Sequence, residues 1–364
     1  MHGSIYSHQP VLSQDFGLNF QKPLKHSESQ FNIPLFCGTI FVIIRVMKVN
    51  EHIAQAKGQT LISFEVLPPL KGGGMKDIFN MLDPLMEFKP PFIDVTYHRE
   101  EIVFNQRESG YYEKISIKKR PGTVGICASI MHKYKVDAVP HLICGGFNIQ
   151  ETEDALIDLA FLGINNVLAL RGDARNFEDK FIPEKGGHKY AVDLVRQMAN
   201  MNRGKYLDAN LVNAEPTEFC IGVAGYPEKH FEAPNFDTDL KYLKEKIDAG
   251  ADYIVTQMFY DNEKYFQFVD KCRAIGIEVP IIPGLKPITK KYQLNSIPRK
   301  FFVNLPEEFV SEMEKADTKE AIRELGIEWC IKQSKELKER GAPVLHYYTM
   351  GDTDTILRIV RAIS

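Results

Sequence analysis

Eight short apolar runs recur along the chain, at 60–66, 92–97, 137–143, 165–171, 218–225, 252–258, 279–285 and 344–349. Runs of this length, closed by Pro, Gly or polar residues, read as strands. Between them, apolar positions return every three or four residues, at 77–88, 149–162, 190–201, 237–249, 262–275 and 307–340. That spacing is the signature of helices packed on one face. Strands alternating with helices imply right-handed crossovers and a parallel sheet. Eight repeats predict closure of that sheet into a (β/α)8 TIM barrel, a single α/β domain over 47–364.

Residues 1–46 carry a different pattern. They are polar and contain His and Gln, then turn apolar over 31–47, where Pro34, Gly38 and Arg45 interrupt the run. The stretch is too broken for a membrane-spanning helix, and it lacks the early positive region and apolar run of a signal peptide. Met47 opens the more ordinary start Met-Lys-Val-Asn-Glu-His-Ile. Residues 1–46 are therefore expected to be an N-terminal extension outside the chemistry, and 47–364 the catalytic domain.

Composition narrows the function classes. With 364 residues, 44% of them hydrophobic, the chain can bury a large core, and a net charge of −3 gives no basic excess for a nucleic-acid partner. The six cysteines are scattered with no CxxC pair, so a reducing, cytoplasmic setting is expected. No GxGxxG or GxxxxGK[ST] string follows the first strand, and Gly72-Gly73-Gly74 reads as a βα loop rather than a phosphate cradle.

Candidate chemistry starts at Glu65, a carboxylate inside a run that otherwise reads as a buried strand. Strand residues alternate faces, so Ser63 and Glu65 share one face and Ile62, Phe64 and Val66 the other. In a closed barrel the polar pair points inward near the strand's C-terminal end, where barrel enzymes keep their chemistry. The bland alternative is a strand-end Glu held by an Arg. Other polar residues fall at the same ends: Thr96, Tyr97 and His98 on the second strand, His141 on the third, Arg171, Gly172 and Asp173 on the fourth, Tyr226 on the fifth and Gln257 on the sixth. Singly, His141 fits a hydrogen-bonded core residue and Arg171 with Asp173 an ion pair; their convergence on one rim marks a site. His141 and Cys144 lie three apart on one strand and so face opposite sides, which leaves no metal site there.

The ordered strings Ser-Phe-Glu-x-x-Pro-Pro at 63–69, Val-Thr-Tyr at 95–97, Pro-His-Leu-x-Cys at 140–144, Leu-Arg-Gly-Asp at 170–173 and Tyr-Pro-Glu-x-His at 226–230 carry a resemblance. So do Asp-Ala-Gly-Ala at 248–251, Ile-x-Thr-Gln at 254–257, Ile-Ile-Pro-Gly at 281–284 and His-Tyr-Tyr-Thr at 346–349. Together the chain resembles methylenetetrahydrofolate reductase of the bacterial type over essentially all of 47–364. The resemblance implies an FAD-binding barrel in which NADH or NADPH passes a hydride through flavin to 5,10-methylenetetrahydrofolate, giving 5-methyltetrahydrofolate for methionine synthesis. It implies that Glu65 is the acid that protonates the folate and that Asp173 lies beside the flavin. Thr96, His141, Leu170, Arg171, Gly172, Tyr190, Ala191, Tyr226, His230, Ala233, Asp239 and Lys246 match FAD-holding positions, and Gln257 and Gln293 match folate contacts. A homo-oligomer without membrane or nucleic-acid partners is expected.

Several positions depart from the family pattern. His98-Arg99 are bulky where small residues are common, Tyr242 and Glu245 stand near the expected FAD phosphates, and Lys244 and Lys246 are the candidate compensating cations. Met350-Gly351-Asp352 replaces Leu-Asn-Arg, whose Arg contacts substrate in the family. The chain is expected to lack the adenosylmethionine-binding regulatory domain of the animal enzymes. Two other readings fit a barrel with an acidic and amide-lined mouth: a flavin-free pterin-binding methyltransferase, and a flavin subunit that needs a partner.

Overall fold

The computed structural model describes residues 46–175 and 178–364. The expected extension therefore lies, apart from Val46, outside the described residues. The strands, in chain order, are β1 (Leu61–Val66), β2 (Phe92–Val95), β3 (Glu101–Gln106), β4 (Tyr112–Ile117), β5 (Asp137–Ile143), β6 (Asn166–Leu170), β7 (Cys220–Gly225), β8 (Tyr253–Thr256), β9 (Ile281–Ile282), β10 (Gly284–Leu285) and β11 (Val344–Tyr348). All pair in parallel in the order β10-β11-β1-β2-β5-β6-β7-β8-β9, except β3 and β4, which form a separate antiparallel hairpin. β9 and β10 are two halves of one stave, split at Pro283, whose missing N–H interrupts the ladder. The His346 amide donates to the Pro283 carbonyl at 3.2 Å, so the ring of staves closes. Every predicted strand is present, and the fold is the expected (β/α)8 barrel.

Helices α1 (Val49–Gln55), α2 (Met75–Leu82), α3 (Thr123–Tyr134), α4 (Ile149–Phe161), α5 (Ala191–Met201), α6 (Phe236–Asp248), α7 (Asn262–Ala274), α8 (Gln293–Phe301), α9 (Glu307–Lys315), α10 (Lys319–Glu339) and α11 (Thr353–Arg361) complete the chain. The single helical stretch expected at 307–340 is two helices. Thr318 breaks it, because its hydroxyl accepts from the Ala321 amide at 3.1 Å and caps a new start. α1, α3, α8 and α11 and the hairpin were not anticipated. The hairpin did leave a signal, a Ser109-Gly110 turn with Gly110 at φ +84° between two β-rich runs.

Two apolar layers follow from the strand alternation. Phe64, Val66, Ile93 and Val95 face outward into the large core under the helices. Phe92, Val139, Leu168, Tyr253, Val255, Ile282 and Val344 fill the barrel interior. Val49 of α1 belongs to that inner cluster and is fully buried. Its amide donates to Asn166 Oδ1 at 2.9 Å, Met47 N donates to Asp137 Oδ2 at 3.1 Å, and His52 Nε2 lies 2.6 Å from the same carboxylate. Asp137 and Asn166 open β5 and β6, so α1 plugs the N-terminal end of the barrel and chemistry is confined to the other end.

Candidate active site

A cavity of about 1180 Å3 opens at the C-terminal ends of the strands, and every residue singled out above as catalytic, cofactor-binding or substrate-binding lines it. That volume exceeds the few hundred to about 1,000 Å3 of ordinary ligand pockets, so it has room for a dinucleotide and a second ligand. The hairpin contributes to its rim through Glu101 and Ile102.

At the centre is Glu65, which faces inward as the alternation requires. Its side chain is 12% exposed. Burial, the largest influence, and Asp94 raise its carboxyl while His141 and Lys286 pull it down, and the balance lies at about 7. The expected alternative, an Arg partner, is not what the structure shows: the nearest cationic candidate is His141, with Nε2 3.6 Å from Glu65 Oε2. Burial lowers the pKa of His141, so the ring stays neutral around neutral pH and leaves Glu65 its proton. Below Glu65, Ser63 Oγ and His346 Nδ1 are 2.7 Å apart and fully buried.

One wall gathers cations, rings and a helix start. Gly172 adopts φ +84°, a backbone that L side chains rarely take, which lets the Leu-Arg-Gly-Asp turn expose Arg171 and Asp173 together. Arg171 is paired with Glu232, not with Asp173. Tyr226 and His230 meet edge-on at 4.7 Å between centroids, and burial pushes the Tyr226 phenol up. The His230 amide donates to Asp239 Oδ2 at 2.9 Å, so Asp239 also fixes the loop that carries His230. Lys246 Nζ donates to the Ala224 carbonyl at 2.6 Å, and burial brings it down to about 8 despite Asp239. Of the two compensating cations, Lys246 reaches the cavity, whereas Lys244 is committed to Asp248 on the helix surface. Ala191 and Val192, the first residues of α5, present its N-terminus to the same wall.

The opposite wall carries amides and lysines. Gln257 Oε1 accepts from the Met258 amide at 2.9 Å, and Gln293 Oε1 accepts from Thr289 N and Lys290 N at 2.8 and 2.9 Å. Each side-chain carbonyl thus stiffens its own loop and leaves an amide nitrogen for a ligand. Asp352, where the family places Arg, caps α11 through Thr355 N at 3.2 Å and sits 3.5 Å from Arg323.

Sequence reasoning missed three lining or supporting groups. Lys286 lines the cavity half-buried, its pKa lowered by burial. His346 enters the sequence pattern only within the His-Tyr-Tyr-Thr string. Asp94 carries the same signal as Glu65, a carboxylate inside an apolar strand, Phe92-Ile93-Asp94-Val95. Among the described residues no cluster of His, Cys, Asp and Glu could hold a metal ion, and no helix is long and apolar enough to cross a membrane.

Fold and mouth together define a parallel (β/α)8 barrel built for acid–base chemistry, with a proton-holding carboxyl at the strand ends. The chain belongs to the methylenetetrahydrofolate reductase family, whose model matches residues 48–364. It is 34% identical over 316 residues to methylenetetrahydrofolate reductase (NADH) 1 of Arabidopsis thaliana, covering 84% of this chain and 48% of that protein. To the 5,10-methylenetetrahydrofolate reductase of Salmonella typhimurium it is 32% identical over 303 residues, covering 83% of this chain and 90% of that one. The chain thus spans about half the length of the plant relative. A solved structure of an uncharacterized protein from Clostridium thermocellum that binds two copies of 5-methyl-5,6,7,8-tetrahydrofolic acid shares the fold, with a TM-score of 0.51 at 13% identity over 86% of this chain and 99% of that one.

Proposed function

We propose that this chain reduces 5,10-methylenetetrahydrofolate to 5-methyltetrahydrofolate with electrons from NADH or NADPH, using FAD as its resident cofactor. The observation that carries the reading is Glu65, an acid still protonated near neutral pH at the centre of a barrel mouth. Reduction of the folate needs such an acid, because the five-membered ring must open to an iminium before it can accept a hydride.

The donor set suits FAD. Arg171 and Lys246 offer cations, and the first N–H groups of α5 offer a site for a pyrophosphate. The Tyr226 and His230 rings, with Thr96, Leu170, Tyr190 and Ala233, supply polar and apolar surface around it. Bound there, FAD would carry the hydride from nicotinamide to folate. Asp173 supplies a negative charge that favours release of the hydride. Glu65 gives its proton to the folate nitrogen whose bond breaks, and Gln257 and Gln293 orient the pterin through their free amide nitrogens. The five cysteines among the described residues are free and buried, which supports a reducing, cytoplasmic setting; the family likeness supports a homo-oligomer.

The purified protein is expected to be yellow, to bleach anaerobically with NADH or NADPH, and to regain colour on adding methylenetetrahydrofolate. A colourless protein that takes up no added FAD would overturn the reading in favour of the flavin-free methyltransferase.

A further inference from the structure

Glu65 and Asp94 are register partners on adjacent parallel strands and both face into the barrel. Asp94 is 1% exposed, and neither of its oxygens has a hydrogen-bond partner. His141, one level nearer the mouth on β5, points the same nitrogen at both acids: Nε2 is 3.4 Å from Asp94 Oδ2 and 3.6 Å from Glu65 Oε2. That nitrogen has no hydrogen bond of its own. Two carboxyls in a dry enclosure cannot both carry charge without a compensating cation, so the pair retains protons and titrates as a unit.

We propose that Asp94 is a positioning residue for Glu65: its carboxylate, the register partner of Glu65 and 3.4 Å from the His141 nitrogen that also faces Glu65, keeps Glu65 protonated until substrate arrives. When Glu65 has given its proton to the substrate, solvent at the mouth returns one to it, while Asp94 stays a carboxylate and His141 stays neutral.

The other groups facing the pair fit this assignment. His346 on β11 pulls Asp94 down and Lys286, after β10, pulls Glu65 down, both weaker than the burial that raises the two acids. Tyr348 on β11, Tyr253 on β8 and Cys127 on α3 are held neutral by burial, so none competes for the proton.

The kinetic test rests on the reductase reading; the spectroscopic test does not. In Asp94→Asn and Asp94→Ser, the rate of flavin reoxidation by methylenetetrahydrofolate, divided at each pH by the rate of flavin reduction by NADH, should lose its high-pH limb about one unit earlier than in wild type, the size of effect a neighbouring charge exerts. A uniformly lower ratio with the limb unmoved would reduce Asp94 to a structural role. Independently, the protonated-carboxyl infrared band of the wild-type protein should titrate in two separate steps, near 6 and near 7. In Glu65→Gln the step near 7 should be lost and the step near 6 should stay, since Glu65 is neutral while Asp94 titrates. One step at ordinary carboxylate pH, or loss of the step near 6 rather than the step near 7 in Glu65→Gln, overturns the proposal even if no variant at Asp94 folds. A protein with neither half-reaction but with both infrared steps would refute the reductase reading alone.

Discussion

Ser63 Oγ and His346 Nδ1, 2.7 Å apart on neighbouring strands of the barrel interior, tie the first stave to the last. The bond satisfies the only ring nitrogen of His346 that has a partner, since Nε2 has none. Ser63→Ala therefore leaves a fully buried imidazole without any hydrogen bond. The expected loss is about 1–3 kcal/mol, read as a lower urea midpoint with an unchanged slope. An unchanged midpoint would mean that the pair contributes no stability.

Glu65→Gln keeps the shape and hydrogen-bonding reach of the acid but has no comparable proton to give. Reoxidation of the flavin by methylenetetrahydrofolate should fall at least about 10²-fold, the lower end of what a positioned acid contributes. Reduction by NADH draws no proton from this residue and should change by less than about tenfold. Stopped-flow traces of the two half-reactions decide it: equal losses in both would make Glu65 a structural partner of His141.

The barrel was legible because its strands are buried on both faces, which leaves unbroken apolar runs, and Glu65 stood out against one of them. What escaped was set by tertiary context. α1 is short and weakly patterned, and it is held by side chains of Asp137 and Asn166 far along the chain. The role of Asp94 depends on strand register, and that of Lys244 on which way a helical side chain turns, neither of which a local pattern encodes. Gly326, unremarked in α10, is required by a close approach, because a Cβ there would lie 1.6 Å from the Ile288 carbonyl oxygen.

Lys246 should make flavin affinity pH-dependent. In the flavin-free protein its amine sits at about 8, so it is mostly charged at pH 7 and mostly neutral at pH 9. FAD binding, followed by fluorescence quenching, should weaken across that interval. Lys246→Met should bind FAD more weakly at pH 7 and lose most of the pH dependence. An unaltered slope in the variant would place the pyrophosphate elsewhere.

A chain begun at Met47 should keep its flavin content and activity. The Met47 nitrogen already donates to Asp137 Oδ2 at 3.1 Å, and as a terminal ammonium it would face the same carboxylate with full charge. Melting temperature should hold or rise. Loss of FAD on truncation would show that residues 1–46 belong to the catalytic unit.

The raised pKa of Glu65 also predicts a stability difference with a definite sign. Its carboxyl titrates at about 7 in the folded protein against 4.5 in the unfolded chain, so between those values the folded state holds a proton that the unfolded state has lost. The contribution is fully present below 4.5 and is lost as pH rises through 7. His141 and His346, whose pKa values are lowered, act oppositely below about 6.5 and blur the wild-type curve. Comparison with Glu65→Gln removes that background, since the histidines are common to both proteins. The variant should match the wild type near pH 5, where Glu65 is neutral. It should become the more stable of the two by pH 8, where the wild type must bury a carboxylate, by an amount on the order of 1–3 kcal/mol. Urea unfolding at the two pH values measures it, and a difference that stays constant from pH 5 to pH 8 would mean that Glu65 is not held protonated in the folded barrel.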